Sequence, residues 1–267
     1  LANLGDKYTI ADAKEELVRY LPRNGYAVLN IDDDLVTAMS RFAPESRVVK
    51  FGLNQSAHFF ASDITYLGPE GISFKVNDFY PFHMPIYSSS SVYNALTAIA
   101  VTRLMGLSFE QIQRGLNEHF TLYERKGNLL RLSNSFVLDY SYDATFNSVT
   151  KACESLVQFK PFSKKLILVI GDMSNPGPRP EEAHLKLGYY FAALPIDSVI
   201  TLGENAGNII TGMQRLNKQS CDYCSCSNQR EILDALTREK IDGATILFTG
   251  KKELEMKIGR ASCRERV

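Results

Sequence analysis

The sequence lacks an excess of charge, because 30 lysine and arginine residues balance 30 aspartate and glutamate residues. A chain without a net field is not steered toward nucleic acid or anionic lipid. It also lacks the run of about 20 apolar residues that crosses a bilayer, and it does not open with a basic and apolar leader pattern. We therefore expect a monomeric cytoplasmic protein with neither nucleic-acid nor membrane partners.

Cysteine is scarce, and five cysteines in 267 residues do not make a disulfide framework. Three of them form the cluster Cys221-x-x-Cys224-x-Cys226. A zinc site normally needs four ligands with a second spaced pair, and neither Cys nor His follows before Cys263. The pattern favours a strand that carries thiols, with zinc as the alternative.

Familiar catalytic signatures are also missing. The sequence contains neither a G-x-x-x-x-G-K-[ST] loop nor a G-x-G-x-x-G turn. The four histidines do not cluster along the chain, and none of the serines stands on a nucleophile elbow. We therefore expect neither a Walker-type phosphate site nor a classical dinucleotide site in this stretch.

The hydrophobic pattern predicts two α/β domains. In the first, a helix over Thr9–Tyr20 carries an apolar stripe, a β-rich stretch runs from Arg47 to Val76, and two helices follow from Ser91 and Ser108. Ser108 and Gln111 form a capping-box pattern at the second of these helices. The helical pattern ends near Leu122, so we place the first domain at residues 1–122.

Regular alternation of strands and helices follows. Such alternation implies right-handed βαβ units and a parallel sheet, which predicts a doubly wound domain over residues 123–257. The predicted strands are Phe136–Leu138, Leu166–Ile170, Ser198–Leu202 and Thr245–Thr249; the predicted helices are Ser148–Phe159, Pro180–Ala193, Asn205–Leu216 and Gln229–Glu239.

Ligands of an open parallel sheet bind beyond the carboxyl ends of its strands. The residues predicted there are Asp139–Asp143, Gly171–Met173, Gly203–Asn205 and Gly250–Lys252. Such a collection of acidic and glycine-bearing turns indicates a functional rim. Glycine and N-capping residues are also what strand-to-helix turns require for local reasons, so both interpretations stand.

Lys14 falls within the helical stripe formed by Ile10, Ala13, Leu17 and Leu21. Its stem is therefore predicted to point toward the core, where a buried ammonium is costly and the amine can react or be modified. The alternative is a lysine at the margin of the stripe that extends its ammonium to water.

Three segments of the first domain resemble the central domain of the Mur ligase family. Lys14 lies in Thr9–Leu17, which resembles an alanine-lysine helix of that family, and Val28–Asp33 resembles its V-L-N-x-D-D strand end. The segment Ser91–Leu96 resembles the family's H-N-x-x-N-A-L helix and supplies Asn94.

The second domain continues the resemblance in the same order. Arg125 falls where the family has a Pro-Gly-Arg turn, and Asp139–Ala144 resembles the D-D-S-Y-N-A motif of the member that adds D-alanyl-D-alanine. Gly171–Met173, with His184 on the next helix, resembles the G-D-M…H pattern of that member. The likeness runs from about Leu4 to Lys257 and implies a partial P-loop-like central α/β domain followed by a Rossmann-like C-terminal domain.

The resemblance implies a reaction, its cofactors and a set of site residues. ATP with Mg²⁺ would activate a carboxylate of a UDP-muramoyl-peptide as an acyl phosphate, and an amine such as D-alanyl-D-alanine would displace the phosphate to form an amide. The matching lysine of several members is carbamylated and binds the metal. The implied roles are catalytic for Lys14, Arg125 and Asp139; ATP-binding for Asn94, Arg125 and Asp139; substrate-binding for Tyr142, Asp143, Asp172 and His184; and metal-binding for carbamylated Lys14.

The sequence departs from the family pattern at several positions. Ser90 and Ser91 stand where the family has His and Asn, while Tyr140 and Asp143 replace an Asp and an Asn. These changes leave two alternatives open: a divergent relative that binds nucleotide or a partner without ligase activity, and a ligase for another acid and amine. By the same resemblance, the phosphate-binding loop and a UDP-binding domain would precede Leu1, so the chain alone is expected to be inactive. Residues 258–267 resemble translated adapter sequence and are expected to be non-native.

Overall fold

The computed structural model describes residues 6–44, 47–216 and 220–256. The chain forms two compact units, Leu1–Thr121 and Leu122–Val267. Within the described residues, no helix has both the length and the apolar character needed to cross a bilayer. The tail 258–267, including Cys263, lies outside the described residues.

The first unit contains a mixed sheet with helices, and its α/β class is confirmed. Strands β1 to β3 are parallel, β3 to β5 are antiparallel, and the order in the sheet follows the chain. The elements are α1 (Lys7–Arg19), β1 (Ala27–Asn30), α2 (Asp34–Ala38), β2 (Val48–Gly52), β3 (Phe59–Tyr66), β4 (Ile72–Val76), β5 (Tyr80–Met84), α3 (Ser89–Leu104) and α4 (Phe109–His119).

Local sequence explains where these helices begin. Asp6 accepts the backbone N–H groups of Tyr8 and Thr9 at the start of α1. At α4 the predicted capping box is confirmed, since the Ser108 and Gln111 side chains each bond the other's backbone N–H. Each such cap satisfies N–H groups that a helix end leaves without an intrahelical partner.

The predicted apolar face of α1 is wrong. Ala13 is exposed, Leu17 is 71% exposed and Lys14 is exposed, so the Lys14 side chain is not directed into the core. The inward face is rotated and carries Ala11, Glu15 and Val18, which follow one another at helical spacing.

A charged residue explains the rotation of this helix. The Glu15 carboxylate is only 12% exposed and pairs with Arg19 at 2.6 Å and Arg41 at 3.3 Å. Because two guanidinium groups neutralise its negative charge, Glu15 can lie on the inward face of the helix. The pattern of apolar residues had instead predicted Leu17 on that face.

The second unit is built around a six-stranded sheet in the order β10-β9-β8-β11-β7-β6. All neighbouring strands are parallel except β6, which is antiparallel to β7. The elements are β6 (Asn128–Arg131), β7 (Phe136–Tyr140), α5 (Phe146–Gln158), β8 (Lys165–Gly171), α6 (Pro180–Ala192), β9 (Ser198–Leu202), α7 (Gly207–Arg215), β10 (Asp222–Cys226), α8 (Gln229–Arg238) and β11 (Ala244–Thr249).

The central strands of this sheet are buried on both faces. Leu166 to Ile170 and Ala244 to Phe248 are 0–1% exposed at each apolar position, as expected for a parallel sheet covered by helices. The predicted parallel sheet is confirmed, and so is the strand that carries Cys224 and Cys226. The antiparallel β6 was not predicted.

Candidate functional site

The carboxyl ends of the parallel strands of the second unit lie at one edge of the sheet. Thr249, which ends β11, is in register with Tyr140 of β7 and Ile170 of β8, and Gly171 is in register with Leu202 of β9. The four predicted turns therefore belong to one edge. This edge carries two polar clusters.

The first cluster joins Asp139, Ser141 and Arg125. Asp139 is 1% exposed, and its Oδ1 accepts the Ser141 N–H at 3.1 Å and the Ser141 hydroxyl at 2.6 Å. The Arg125 Nε–H donates to Ser141 Oγ at 3.1 Å, and its Nη2–H donates to the Ser141 carbonyl oxygen. Ser141 thus bridges the carboxylate and the guanidinium that the sequence predicted separately.

Backbone geometry places Arg125 beside the end of β7. Arg125 has a φ of 67° and Gly127 a φ of 95°, and the Gly127 N–H donates to the Asp139 carbonyl at 2.8 Å. A left-handed arginine is uncommon and costs free energy. Here the two hydrogen bonds to Ser141 and the pairing of β6 with β7 hold this conformation.

The role of Ser141 was missed at the level of sequence. The available signal was a hydroxyl residue two positions after an aspartate at a strand end, a spacing that allows local side-chain to backbone bonding. That the same hydroxyl also receives Arg125 depends on the antiparallel β6, which was not foreseen.

The second cluster is centred on Asp172, which follows β8 and is 4% exposed. Its Oδ1 accepts the N–H groups of Asn205 at 3.0 Å and Ala206 at 2.9 Å, and its Oδ2 accepts that of Glu204 at 3.2 Å. The Lys251 ammonium lies 3.4 Å from Oδ2. Asp172 therefore connects the turns that follow β8, β9 and β11.

Gly203 is required where this carboxylate meets the turn. It has a φ of 130°, and a Cβ at this position would lie 2.4 Å from Asp172 Oδ1. Both its conformation and its lack of a side chain allow the backbone N–H groups to converge on one carboxylate.

His184 supports the same loop from helix α6. Its Nε2 accepts the Met173 N–H at 2.9 Å, and its Nδ1 lies 2.7 Å from the Pro180 carbonyl. These two partners fit the neutral ring with its proton on Nδ1. The approach of Nε2 to Asp172 Oδ1 at 3.9 Å is then packing rather than an ion pair, since the Nε2 lone pair is already engaged by Met173.

Tyr142 and Asp143 lie on the exposed part of the edge. The Tyr142 ring is 45% exposed, with the Lys126 ammonium 4.6 Å and the Lys252 ammonium 5.9 Å from its centre. Two ammonium groups beside one aromatic ring form a surface suited to an anionic group. The Asp143 side chain is exposed, so both residues are accessible to a ligand.

In the first unit, Asn94 is exposed on α3, and its neighbour Tyr93 fixes the helix to the end of β1. The Tyr93 hydroxyl donates to Asp32 Oδ2 at 3.1 Å. Burial first, and then this hydrogen bond and the Asp32 charge, raise the pKa of Tyr93 to about 12. The bond connects the N-I-D-D segment to the helix that presents Asn94.

The start of α3 differs chemically from the family pattern. Ser88 caps the helix by accepting the Ser91 N–H, and its hydroxyl lies 2.9 Å from that of Ser90 and 2.8 Å from that of Ser91. Ser90 and Ser91, whose hydroxyls both bond that of Ser88, stand where the family pattern has an imidazole and an amide.

Lys14 lines an apolar groove of about 540 Å³ between α1, β1 and α2, together with Lys7 and Asp33. The described residues contain no group of three or more His, Cys, Asp or Glu side chains that could hold a metal ion. A carbamate on the exposed Lys14 amine would add oxygen donors of the kind that Mg²⁺ prefers.

The structure thus brings Arg125 and Asp139 together through Ser141, and Asp172 and His184 around the Gly203 turn. Tyr142 and Asp143 follow Ser141 at the same edge. Lys14 and Asn94 belong to the other unit. The roles predicted for these residues stay predictions.

Comparison with known proteins identifies both units. Residues 1–102 match the family model described as Mur ligase middle domain, and residues 128–252 match that described as Mur ligase, glutamate ligase domain. The UDP-N-acetylmuramoyl-tripeptide–D-alanyl-D-alanine ligase of Escherichia coli is 26% identical over 214 residues, covering 79% of this chain and 47% of that relative. The corresponding Bacillus subtilis ligase is 24% identical over 96% of this chain and 55% of that relative.

Solved structures agree on the fold. A crystal structure of MurF from Acinetobacter baumannii superimposes with a TM-score of 0.84 at 24% identity, over 100% of this chain and 57% of that one. MurF from Thermotoga maritima in complex with ADP gives 0.79 at 18% identity, over 98% of this chain and 58% of that one. The chain spans about half the length of the curated relatives named above.

Proposed function

Since the chain belongs to the Mur ligase family by two domains that follow one another along most of its length, we propose that the protein containing it is an ATP-dependent amide ligase of peptidoglycan precursor synthesis. The proposed acid is a UDP-muramoyl-peptide, and the proposed amine is D-alanyl-D-alanine or a similar molecule, as the names of the relatives suggest. We further propose that the protein acts as a cytoplasmic monomer.

One observation carries this proposal: Ser141 joins the Asp139 carboxylate and the Arg125 guanidinium at the carboxyl edge of the second sheet. This edge is where open parallel sheets bind nucleotides. The buried Asp139 carboxylate holds Ser141, and the guanidinium that Ser141 positions fits phosphate oxygens. The cluster therefore has the chemistry of a nucleotide site built before any ligand arrives.

In the proposed reaction ATP, as co-substrate, activates the peptide carboxylate as an acyl phosphate, and the amine displaces the phosphate. Charge on the transferring phosphoryl group must be neutralised, which is the contribution of Mg²⁺ when bound. We assign Arg125 and Asn94 to the nucleotide and carbamylated Lys14 to the metal. Asp139 is buried and bonded to Ser141, so we assign it the positioning of Ser141 and Arg125 toward the ribose and phosphates rather than direct contact. Because Lys14 is exposed, carbon dioxide can reach its amine.

The remaining assignments follow from accessibility. Tyr142 and Asp143 are exposed and are proposed to contact the incoming amine or its carboxylate, with Lys126 and Lys252 beside the Tyr142 ring. Asp172 and His184 are buried, and their hydrogen bonds hold the turn that borders this surface. We assign them a positioning role toward the substrate rather than direct contact.

The test uses the full-length protein encoded by the gene that contains this chain. With ATP, Mg²⁺, UDP-muramoyl-tripeptide and D-alanyl-D-alanine, we expect phosphate release that requires all four components. Arg125→Ala and Ser141→Ala should each lower kcat/KM for ATP about 10-fold or more, because each removes a hydrogen bond that involves a charged group. Arg131→Ala is the matched control: it removes a guanidinium from the opposite edge of the same unit and should leave kcat/KM unchanged within about 2-fold.

Two results would redirect the proposal. If the full-length protein binds ATP but releases no phosphate with any acid and amine offered, it is a relative without ligase activity, an alternative motivated by Ser90, Ser91 and Tyr140. If phosphate release requires a different acid or amine, the reaction class holds and the substrate assignment is wrong. A normal kcat/KM in Arg125→Ala would refute the assigned nucleotide edge.

A further inference from the structure

A pair of thiols on strand β10 has no part in the proposed ligase reaction. Cys224 and Cys226 are two positions apart, so their side chains lie on the same face of the strand. Their Sγ atoms are 3.9 Å apart. Strand β10 is at the end of the six-stranded sheet and pairs with β9.

The two thiols have different surroundings. Cys224 is partly exposed, and the Arg238 Nη2–H of helix α8 donates to its Sγ at 3.9 Å, a contact that stabilises negative charge on this sulfur. Cys226 is 6% exposed within the apolar core. Burial first, and then the neighbouring Cys224, raise the pKa of Cys226 to about 12, so it stays a protonated thiol.

The other described cysteines are placed differently. Cys221 is three residues from Cys224, and its thiol donates to the Asp222 carbonyl at 3.6 Å. Cys153 is fully buried in helix α5, and burial raises the pKa of its thiol. Within the described residues, no group of three or more His, Cys, Asp or Glu side chains could hold a metal ion, and we consider the pair as a dithiol.

We propose that Cys224 and Cys226 form a reversible disulfide within strand β10 when the protein meets a hydroperoxide. The Cys224 thiolate attacks the O–O bond, which yields a sulfenic acid on Cys224 and releases the other oxygen as water or alcohol. The Cys226 sulfur then attacks the sulfenic sulfur, and the sulfenic oxygen leaves as water with the Cys226 proton. The two thiols lose two electrons and two protons in total, and the peroxide is reduced.

Geometry makes this disulfide readily reducible. Cα atoms two residues apart on a strand are separated by about 6.6 Å, near the upper limit of about 6.8 Å for a disulfide. A strained disulfide has a higher reduction potential and is the reversible kind. The end position of β10 in the sheet allows the small backbone shift that bond formation requires.

The test uses the full chain in the Cys263→Ser background, which removes the one cysteine outside the described residues. After stoichiometric hydrogen peroxide and alkylation of the remaining thiols, we expect two protected sulfurs and a protein about 2 Da lighter before alkylation. Dithiothreitol should restore both thiols. Cys224→Ser, Cys226→Ser and Cys226→Ala should each abolish the mass loss, whereas Cys221→Ser should retain it.

Arg238 supplies a second, independent readout. Arg238→Ala should slow iodoacetamide alkylation of Cys224 several-fold, and Arg230→Ala, from the same helix, should not. The proposed disulfide is refuted if the mass loss of about 2 Da persists in a variant that lacks Cys224 or Cys226, or if the mass loss disappears in Cys221→Ser. It is also refuted if Cys224 gains oxygen atoms without forming a crosslink. An unchanged alkylation rate in Arg238→Ala overturns the role of that residue.

Discussion

Replacing Asp172 by alanine should destabilise the second unit far more than replacing Asp143, an exposed carboxylate of the same edge. The side chain is 6% exposed and accepts three backbone N–H groups at 2.9–3.2 Å. A hydrogen bond to a charged group contributes about 1.5 kcal/mol or more, so three of them give about 4.5 kcal/mol or more. The Lys251 ammonium is 35% exposed and adds little, because water screens it.

The asparagine variant separates the two carboxylate oxygens. In Asp172→Asn, the retained Oδ1 can still accept from Asn205 and Ala206, while an amide nitrogen replaces the Oδ2 that faces Glu204 and Lys251. We expect about half of the alanine effect, roughly 2 kcal/mol. The matched control is Asp143→Ala, an exposed carboxylate of the same edge, with an expected change within about 0.5 kcal/mol.

The assay must resolve the second unit from the first. Hydrogen exchange measured by mass spectrometry along a urea series gives a free energy of unfolding for peptides that cover β9 and α7, and the same data report protection of the amides of residues 204–206. The reasoning that one carboxylate organises the three turns would be refuted by two results together. The free energy of unfolding of Asp172→Ala would differ from that of the wild type by less than about 1 kcal/mol, and the amides of residues 204–206 would stay protected from exchange.

Three further outcomes are expected. Gly203→Ala should cost about 3 kcal/mol or more in the same assay, against about 1 kcal/mol for Gly106→Ala, because both glycines have positive φ but only the Cβ at Gly203 meets another atom within 4 Å; equal costs would contradict the clash. The Tyr93 phenol has a pKa of about 12 instead of 10. In Tyr93→Phe, the increase in tyrosinate absorbance near pH 12 should therefore be smaller by one tyrosine. Since that pKa is raised by folding, the wild type should lose stability relative to Tyr93→Phe as pH rises from 10 to about 12, and a pH-independent difference would count against it. Ser108→Ala should cost about 1 kcal/mol in peptides of α4 through loss of the capping box, and unchanged exchange there would refute that contribution.

The second unit was the more predictable from sequence because its strands are continuous apolar runs. Leu166–Ile170 and Thr245–Thr249 were recognised, and they are buried on both faces, where amphipathic alternation is not needed. Strand β6 was missed since Asn128–Arg131 is short, half-polar and at the sheet edge. Strand β5 was missed as well, because Pro81 argues against a strand.

The face of α1 could not be chosen by periodicity alone. Ile10 and Ala11 are adjacent, as are Leu17 and Val18, so two overlapping stripes have nearly equal apolar content. The structure selects the stripe that contains Glu15, because Arg41, a residue outside the helix, compensates its charge. A long-range partner of this kind is invisible to a local pattern.

The site was partly predictable for a similar reason. The order of the motifs along the chain made Arg125, Asp139 and Asp172 candidate site residues. Their charged side chains can bind a nucleotide or hold a turn through hydrogen bonds. It did not show that Ser141 joins the first two or that Asp172 is occupied by backbone N–H groups. Those are properties of the folded edge, since each depends on turns that are distant in sequence.

The reversed direction of β6 has a practical consequence for labelling. Because β6 is antiparallel to β7, residues 125–127 enter the sheet beside the carboxyl end of β7, while the Ser133–Asn134 turn lies at the far end of the same hairpin. A fluorophore or affinity tag fused at the amino end of an isolated second unit would crowd the very groups under study. The same label at the Ser133 turn would report on the unit from a full strand length away.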